Sequence, residues 1–231
     1  MERKQLQRVI LEKDGPIGRI ILNWPEKANS QDEAMVFGID DSLTELERDW
    51  NIKVIILKAN GRGFSSGHAV GGGAAPGQNP ALPRLTGPPE RIRRGAQDYF
   101  LWPVLRLWEF PKPTISQIHG YCIGGGTCIG LVTDITIASD DAYFQMPLPQ
   151  GLGFPSAETM IEPWLFMNWE RTYEYLYTSQ TLGAQQAMDM GLVNKVVPRD
   201  ELESAVEEMA ATIAQAPLST LMETKTLVKR V

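Results

Sequence analysis

Apolar residues along the chain switch repeatedly between strand-like and helix-like spacing. Residues 9–12 and 17–22 are β-branched and apolar, and Asp14-Gly15 lies between them as a hairpin turn signal. Over residues 31–49, Met35, Ile39, Leu43 and Leu46 recur at helical spacing and predict one apolar face. The run KVIILK (53–58) predicts a strand buried on both sides. Residues 91–109 predict a helix with Tyr99, Phe100, Leu105 and Trp108 as its apolar set, which Pro103 should kink or split. Strands are expected at 114–120 and 134–139, with three glycines (124–126) and a short apolar helix between them. A helix over roughly 158–177, a short one over 184–190 closed by Gly191, and an extended segment at 192–198 follow. Leu202, Val206, Met209 and Ile213 share a face of the last helix, with Asp200 and Glu203 placed to cap it. This alternation predicts an α/β fold with parallel strands. No linker divides the chain, so residues 1–231 read as one domain, with 1–198 as its core and 199–231 as a C-terminal helical segment.

Composition narrows the function classes. A net charge of −6 disfavours nonspecific nucleic-acid binding, which needs an excess of Lys and Arg. No apolar run is long enough to span a bilayer, and the N-terminus MERKQLQRVILEK is too charged for a signal peptide. Cys122 and Cys128 form neither a disulfide framework nor a metal pattern, so a reduced, cytoplasmic setting without a bound metal is expected. The segment 74–89 is rich in Pro and Gly and reads as a mobile surface loop.

Two glycine-rich turns carry the candidate chemistry: FSSGH (64–68) and CIGGGTC (122–128). Glycine permits sharp turns and close approach of a ligand to the main chain. Amides at a helix start have no partner within the helix. Two such turns facing each other would aim two N–H donors at one oxygen and stabilise an oxyanion or enolate, each donor contributing about 3 kcal/mol. Either turn alone also fits a plain strand-to-helix connection. Neither of the common nucleotide-binding glycine patterns, GxGxxG after the first strand or GxxxxGK[ST], is present.

Four segments, in order, resemble the crotonase (enoyl-CoA hydratase/isomerase) family over nearly the whole chain. They are ILNWPEKANS (21–30), VIILKANGRGFSSGHAV (54–70), PKPTISQIHGYCIGGGTCIGLVTDITIASDDAYF (111–144) and LGAQQAMDMGLVNKVVP (182–198). The resemblance implies a spiral of ββα units, a homotrimer or a hexamer built as a dimer of trimers, and an acyl-CoA substrate. Coenzyme A would enter as part of that thioester, not as a separate cofactor. Matched residue by residue, the two oxyanion amides fall on His68 and Gly125. Ser66 and Gly67 fall at the adenine, and Lys27 falls where it could meet the CoA phosphates. The chain ends at KTLVKRV (225–231), where family members usually continue for another helical segment.

The sequence also departs from the family pattern. The two glutamates that hydrate a 2-enoyl-CoA in this family match Cys128 and Leu148, so ordinary water addition is not expected. Family isomerases use one carboxylate further on. Its position falls nearest Ser156, and Glu158 and Glu162 are the nearby candidates, with Glu158 leading. Glu158 also fits a helix-terminal glutamate stabilised by the dipole. The His68 imidazole is a further candidate base, and Cys128 reads as either a nucleophile or an inert buried thiol. Asp134, Tyr121 and Tyr143 read as structural. Arg91, Arg93 and Arg94 read as a solvated face or as phosphate contacts. The expected chemistry is a proton shift or another enolate step. A hydratase with non-standard residues and an inactive acyl-CoA-binding paralogue are the alternatives.

Overall fold

The computed structural model describes residues 1–69, 87–152 and 167–230. A hairpin opens the chain. β1 (Glu2–Gln5) and β2 (Val9–Asp14) pair antiparallel, and β2 pairs antiparallel with β3 (Ile17–Leu22). Gly15 takes φ +54° at the predicted turn. β1 was not anticipated: its four residues are all exposed and show no apolar alternation. It depends on its ladder with β2 and on ion pairs such as Lys4 to Glu45 at 2.7 Å.

α1 (Glu33–Arg48) buries the predicted face Met35, Ile39, Leu43 and Leu46. Its cap is Asp32, whose carboxylate accepts from the Met35 N–H at 2.8 Å. β4 (Val54–Ala59) lies parallel to β3 and, as predicted, is buried on both faces. Parallel pairing continues through β5 (Thr114–Ile118), β7 (Ile135–Ser139) and β10 (Lys195–Val197). The result is a seven-stranded sheet in the order β1-β2-β3-β4-β5-β7-β10.

A second, three-stranded sheet stands beside it. β6 (Tyr121–Ile123) pairs parallel with β8 (Tyr143–Gln145), which pairs antiparallel with β9 (Thr181–Gly183). Two successive turns of the chain each contribute one strand to the large sheet, one to the small sheet, then a helix. β5, β6 and α4 (Gly125–Gly130) form one such unit, and β7, β8 and α5 (Trp169–Thr178) another. This is the expected α/β spiral of ββα units. α6 (Ala184–Asp189) ends as predicted at Gly191, φ +85°.

The helix predicted over 91–109 is α2 (Pro89–Ala96), a π-helical turn at Gln97–Leu101, and α3 (Trp102–Trp108). Pro103 sits just after the π turn, which absorbs the hydrogen bond that proline cannot donate. The extra residue rotates the buried face. Val104 and Leu107 are buried with Tyr99, in place of the predicted Leu105 and Trp108. The helix expected over 158–177 is described only as α5, capped by Asn168; residues 153–166 lie outside the described residues, as does most of the predicted loop (70–86).

Two cores flank the large sheet. One packs β2 to β5 against α1, α3 and α4, with Leu43, Leu57, Phe64, Phe110 and Ile118 among its members. The other packs the opposite face against α7 (Leu202–Ala214) through Leu202, Val206, Ala210 and Ala214. The predicted Asp200–Glu203 cap does not form: residues 199–201 make a 3₁₀ turn, and Glu203 reaches out to Lys58 at 2.7 Å. α8 (Leu218–Val228) was missed, because it buries no residue fully and has no clean apolar stripe.

α8 is held instead by lysines, Lys229 over the Trp108 ring at 4.6 Å and, above all, Lys225. Lys225 Nζ donates to Asp134 Oδ2 at 2.7 Å and to the Lys112 carbonyl at 3.0 Å. Asp134 also accepts from the Thr114 N–H at 2.8 Å, so its structural reading holds. Burial lowers the Lys225 pKa and the Asp134 charge opposes that shift. Asp134→Ala should cost about 3 kcal/mol by leaving an ammonium with a side chain 9% exposed without its counter-charge, measurable by urea unfolding.

Candidate active site

The segment carrying His68 is fixed by two buried polar side chains that sequence reading missed. Asn29, fully buried at φ +49°, accepts from the Trp24 N–H at 2.8 Å and donates to the carbonyls of Asn60 (2.8 Å) and Gly63 (3.2 Å). Ser65 Oγ donates to the Asn29 carbonyl at 2.8 Å and accepts from the Gly67 N–H at 3.1 Å. Their only signal in the sequence was that each is followed by a serine, in the pairs Asn29-Ser30 and Ser65-Ser66.

Two short parallel bridges then set the register. Gln31 pairs with His68: the Gln31 N–H donates to the Gly67 carbonyl and the Ala69 N–H to the Gln31 carbonyl, both at 2.8 Å. In such a bridge the central residue turns its own N–H to the other side. Ser65 pairs with Cys122: the Ser65 N–H donates to the Tyr121 carbonyl at 3.2 Å and the Ile123 N–H to the Ser65 carbonyl at 2.9 Å. The second glycine corner is thereby registered on the first.

The corners touch. A Cβ on Gly67, φ +87°, would stand 2.7 Å from the Ile123 carbonyl oxygen and 2.9 Å from the Gly125 nitrogen. A Cβ on Gly126 would stand 2.6 Å from the Ser65 carbonyl oxygen. Gly124 turns the chain at φ +54° and ψ −123°, so that Gly125 opens α4. Among the described residues, neither the His68 N–H nor the Gly125 N–H makes a hydrogen bond. Two unengaged amides thus stand on abutting turns.

Among the described residues, the side chains that meet Gly125 and pack on the His68 ring are neutral. A Cβ on Gly125 would meet the His68 ring at 2.4 Å and Gln31 Oε1 at 2.9 Å. The imidazole packs on Tyr99 and Phe100, with centroids at 5.0 Å and 4.6 Å. Burial lowers its pKa to about 4, which makes it a neutral group and a weak base near neutral pH. Cys128 lies nearly buried in α4, and Leu148 sits in a π-helical turn packed on the main core. The two positions matched to the hydratase glutamates therefore hold a thiol and an alkyl chain. Tyr175, also missed, is buried, and its pKa is raised by desolvation and by the nearby thiols of Cys122 and Cys128. Lys27 is exposed, and the Ser66 N–H is taken by the Ala28 carbonyl at 3.0 Å. Tyr121 packs over Gly63, Tyr143 is 37% exposed, and Arg91, Arg93 and Arg94 are exposed on α2. Ser156, Glu158 and Glu162 lie outside the described residues.

Gly67→Ala should destabilise the fold by about 2 kcal/mol, through positive φ and the two backbone collisions together. Gly15→Ala, at φ +54° with open space around it, should cost about half as much, and chemical denaturation of both variants checks this. A second expectation concerns acid. Both histidines have lowered pKa values in the folded state, His68 through burial and His119 chiefly through burial, with Arg199 adding to it. The unfolded chain, with an ordinary value of 6.5, binds protons that the folded chain does not. The part of the stability that comes from the two imidazoles should be complete above that value and be lost as pH drops towards 4. Between pH 6.5 and about 5, above the range of the lowered carboxylates, His68→Gln should flatten the slope of unfolding free energy against pH.

Comparison with known proteins agrees with this architecture. The family described as enoyl-CoA hydratase/isomerase matches residues 12–231. A Mycobacterium tuberculosis protein provisionally named enoyl-CoA hydratase EchA13 is 32% identical over 215 residues, 88% of this chain and 67% of that protein. A hydroxycinnamoyl-CoA hydratase-lyase of Pseudomonas fluorescens is 29% identical over 90% of this chain and 72% of its own length. The crystal structure of a protein from Mycobacterium smegmatis, provisionally described as an enoyl-CoA hydratase, gives a TM-score of 0.85 at 31% identity, over 97% of this chain and 85% of that one. An enoyl-CoA hydratase/carnithine racemase from Magnetospirillum magneticum gives 0.86 at 21% identity over 99% and 82% of the two chains, a likeness of fold. The chain belongs to the enoyl-CoA hydratase/isomerase family.

Proposed function

We propose that this chain binds an acyl-CoA thioester and polarises its carbonyl between the amides of His68 and Gly125. The observation that carries the reading is the contact of the two glycine corners, which leaves both N–H groups without a protein acceptor among the described residues. A carbonyl oxygen accepting from both would gain negative charge, and its α-proton would become acidic. Each donor contributes about 3 kcal/mol to stabilising the enolate. Coenzyme A enters as part of the substrate, with Lys27, Ser66 and Gly67 on its side of the site. Assembly as a trimer or a dimer of trimers in the cytoplasm belongs to the same reading, supported by family membership.

The reaction is a proton shift or another enolate-type step. Cys128 and Leu148 replace the pair of carboxylates that would position and activate water, and neither can do that work. Glu158 is the leading base. A second reading, binding without turnover, is favoured by one observation: the described side chains that meet Gly125 or pack on the His68 ring, namely Gln31, His68, Tyr99 and Phe100, are all neutral.

Titration with acetoacetyl-CoA, with assays of 3-enoyl-CoA isomerisation and crotonyl-CoA hydration, tests these readings. Binding with isomerisation well above hydration is the expected result. Glu158→Gln should lower isomerisation about 100-fold with binding kept. Unchanged turnover in that variant would remove Glu158 from the mechanism. Binding without turnover across chain lengths would establish the second reading, and no binding would overturn both.

A further inference from the structure

We infer that Tyr99 is a positioning residue for the His68 amide. This rests on the proposed role of that amide as a carbonyl donor.

The Tyr99 side chain is 1% exposed and comes from the π-helical turn between α2 and α3. An inserted residue in a π turn changes which side chains share a face, and here it brings both Tyr99 and Phe100 onto the His68 imidazole. Phe100 also meets Tyr99 edge-on at 4.8 Å. The Tyr99 hydroxyl reaches past the imidazole to the main chain and donates to the Gln31 carbonyl.

That carbonyl is the same one that accepts from the Ala69 N–H at 2.8 Å, while the Gln31 N–H holds the Gly67 carbonyl at 2.8 Å. His68 is thus bracketed on both sides by Gln31, and Tyr99 holds that bracket at the Gln31 carbonyl, where its hydroxyl also meets the Ala69 backbone. The direction of the His68 N–H follows from the peptide planes at 67–68 and 68–69. A carbonyl polarised between two donors is sensitive to that direction, because hydrogen bonds weaken steeply as they bend. The Tyr99 ring also blocks one side of the imidazole and keeps it over Gly125. Phenol deprotonation plays no part, since burial raises the hydroxyl pKa far above neutrality.

Tyr99→Phe removes only the hydroxyl. Its ring still packs on Val36 and Phe100, and the Gln31 carbonyl keeps the Ala69 N–H, so the variant should fold. The readout is the infrared carbonyl band of acetoacetyl-CoA labelled with carbon-13 at the thioester, bound to the full chain. In the unmodified protein the band should move to lower frequency on binding. In Tyr99→Phe that displacement should shrink by half or more. The dissociation constant of free coenzyme A should stay within about twofold, and kcat for any isomerisation should fall about tenfold with KM little changed. Phe100→Leu, which breaks the neighbouring ring contact and keeps the hydroxyl, should retain the displacement. An equal displacement in Tyr99→Phe and the unmodified protein overturns the role of Tyr99 and leaves the proposed function standing. Equal losses in Tyr99→Phe and Phe100→Leu mark a packing effect and also overturn it. A band that does not move in the unmodified protein removes the carbonyl-polarising role of the two amides, and the inference falls with it.

Discussion

The site depends on the close approach of two main-chain corners, at Gly67 and at Gly125, across a gap that admits no Cβ. Backbone groups this near one another need glycine for space as well as for conformation, since Gly67 and Gly124 both lie at positive φ. The large sheet brings the corners together. β4 leads into the first and β5 with β6 into the second, and β4 and β5 are adjacent parallel strands. Parallel neighbours end on the same side of a sheet, so loops that follow them meet there. The bridge from Ser65 to Cys122 then ties the first corner to β6 of the small sheet.

This construction uses side chains to hold backbone and leaves backbone to meet the ligand. Asn29, Ser65 and Gln31 are all buried, and each spends its hydrogen bonds on main-chain groups of neighbouring segments or on another of the three. Polar groups buried this way cost desolvation unless satisfied, and satisfied groups impose one geometry. The described side chains packed on the corners are themselves neutral, and the Asp32 and Glu33 carboxylates act on Tyr99 from farther out. His68 is kept neutral by burial, and the groups around Cys128 are apolar or carry protons. Low polarity around two fixed N–H dipoles strengthens what they do to an incoming carbonyl.

Much of this was legible in the sequence wherever a local pattern carried it. α1 followed from Met35, Ile39, Leu43 and Leu46, and β4 from its continuous apolar run. The glycine corners were legible because positive φ leaves a mark in residue type. What was missed depends on contacts between distant residues. α8 has no buried face of its own and depends on Lys225 reaching Asp134, 91 positions away in the chain. The burial of Leu107 in place of Trp108 follows from a π turn, which no spacing rule locates. The Asp200–Glu203 pattern fits a capping box, yet Lys58 on β4 drew Glu203 away. Asn29, Ser65 and Tyr99 look like ordinary loop and helix residues until segments 31 to 68 positions apart are laid side by side.

The split between backbone and side chain bears on how such a site changes. In the proposed mechanism, polarisation of the carbonyl comes from peptide N–H groups, which no substitution short of proline deletes. Acid–base work comes from side chains, and those change freely. At 128 and 148 this chain carries Cys and Leu, and both sit against apolar neighbours. A carboxylate restored at 128 alone would enter a nearly buried position among Cys122, Ile129 and Tyr175, where desolvation would push its pKa up and favour the protonated form. Water activation requires one of two carboxylates to stay ionised, so the pair has to arrive together with the polar surroundings that support it. The chain's two glycine corners can persist without that pair, because what holds them is Asn29, Ser65, Gln31 and Tyr99, none of which depends on the residues at 128 and 148.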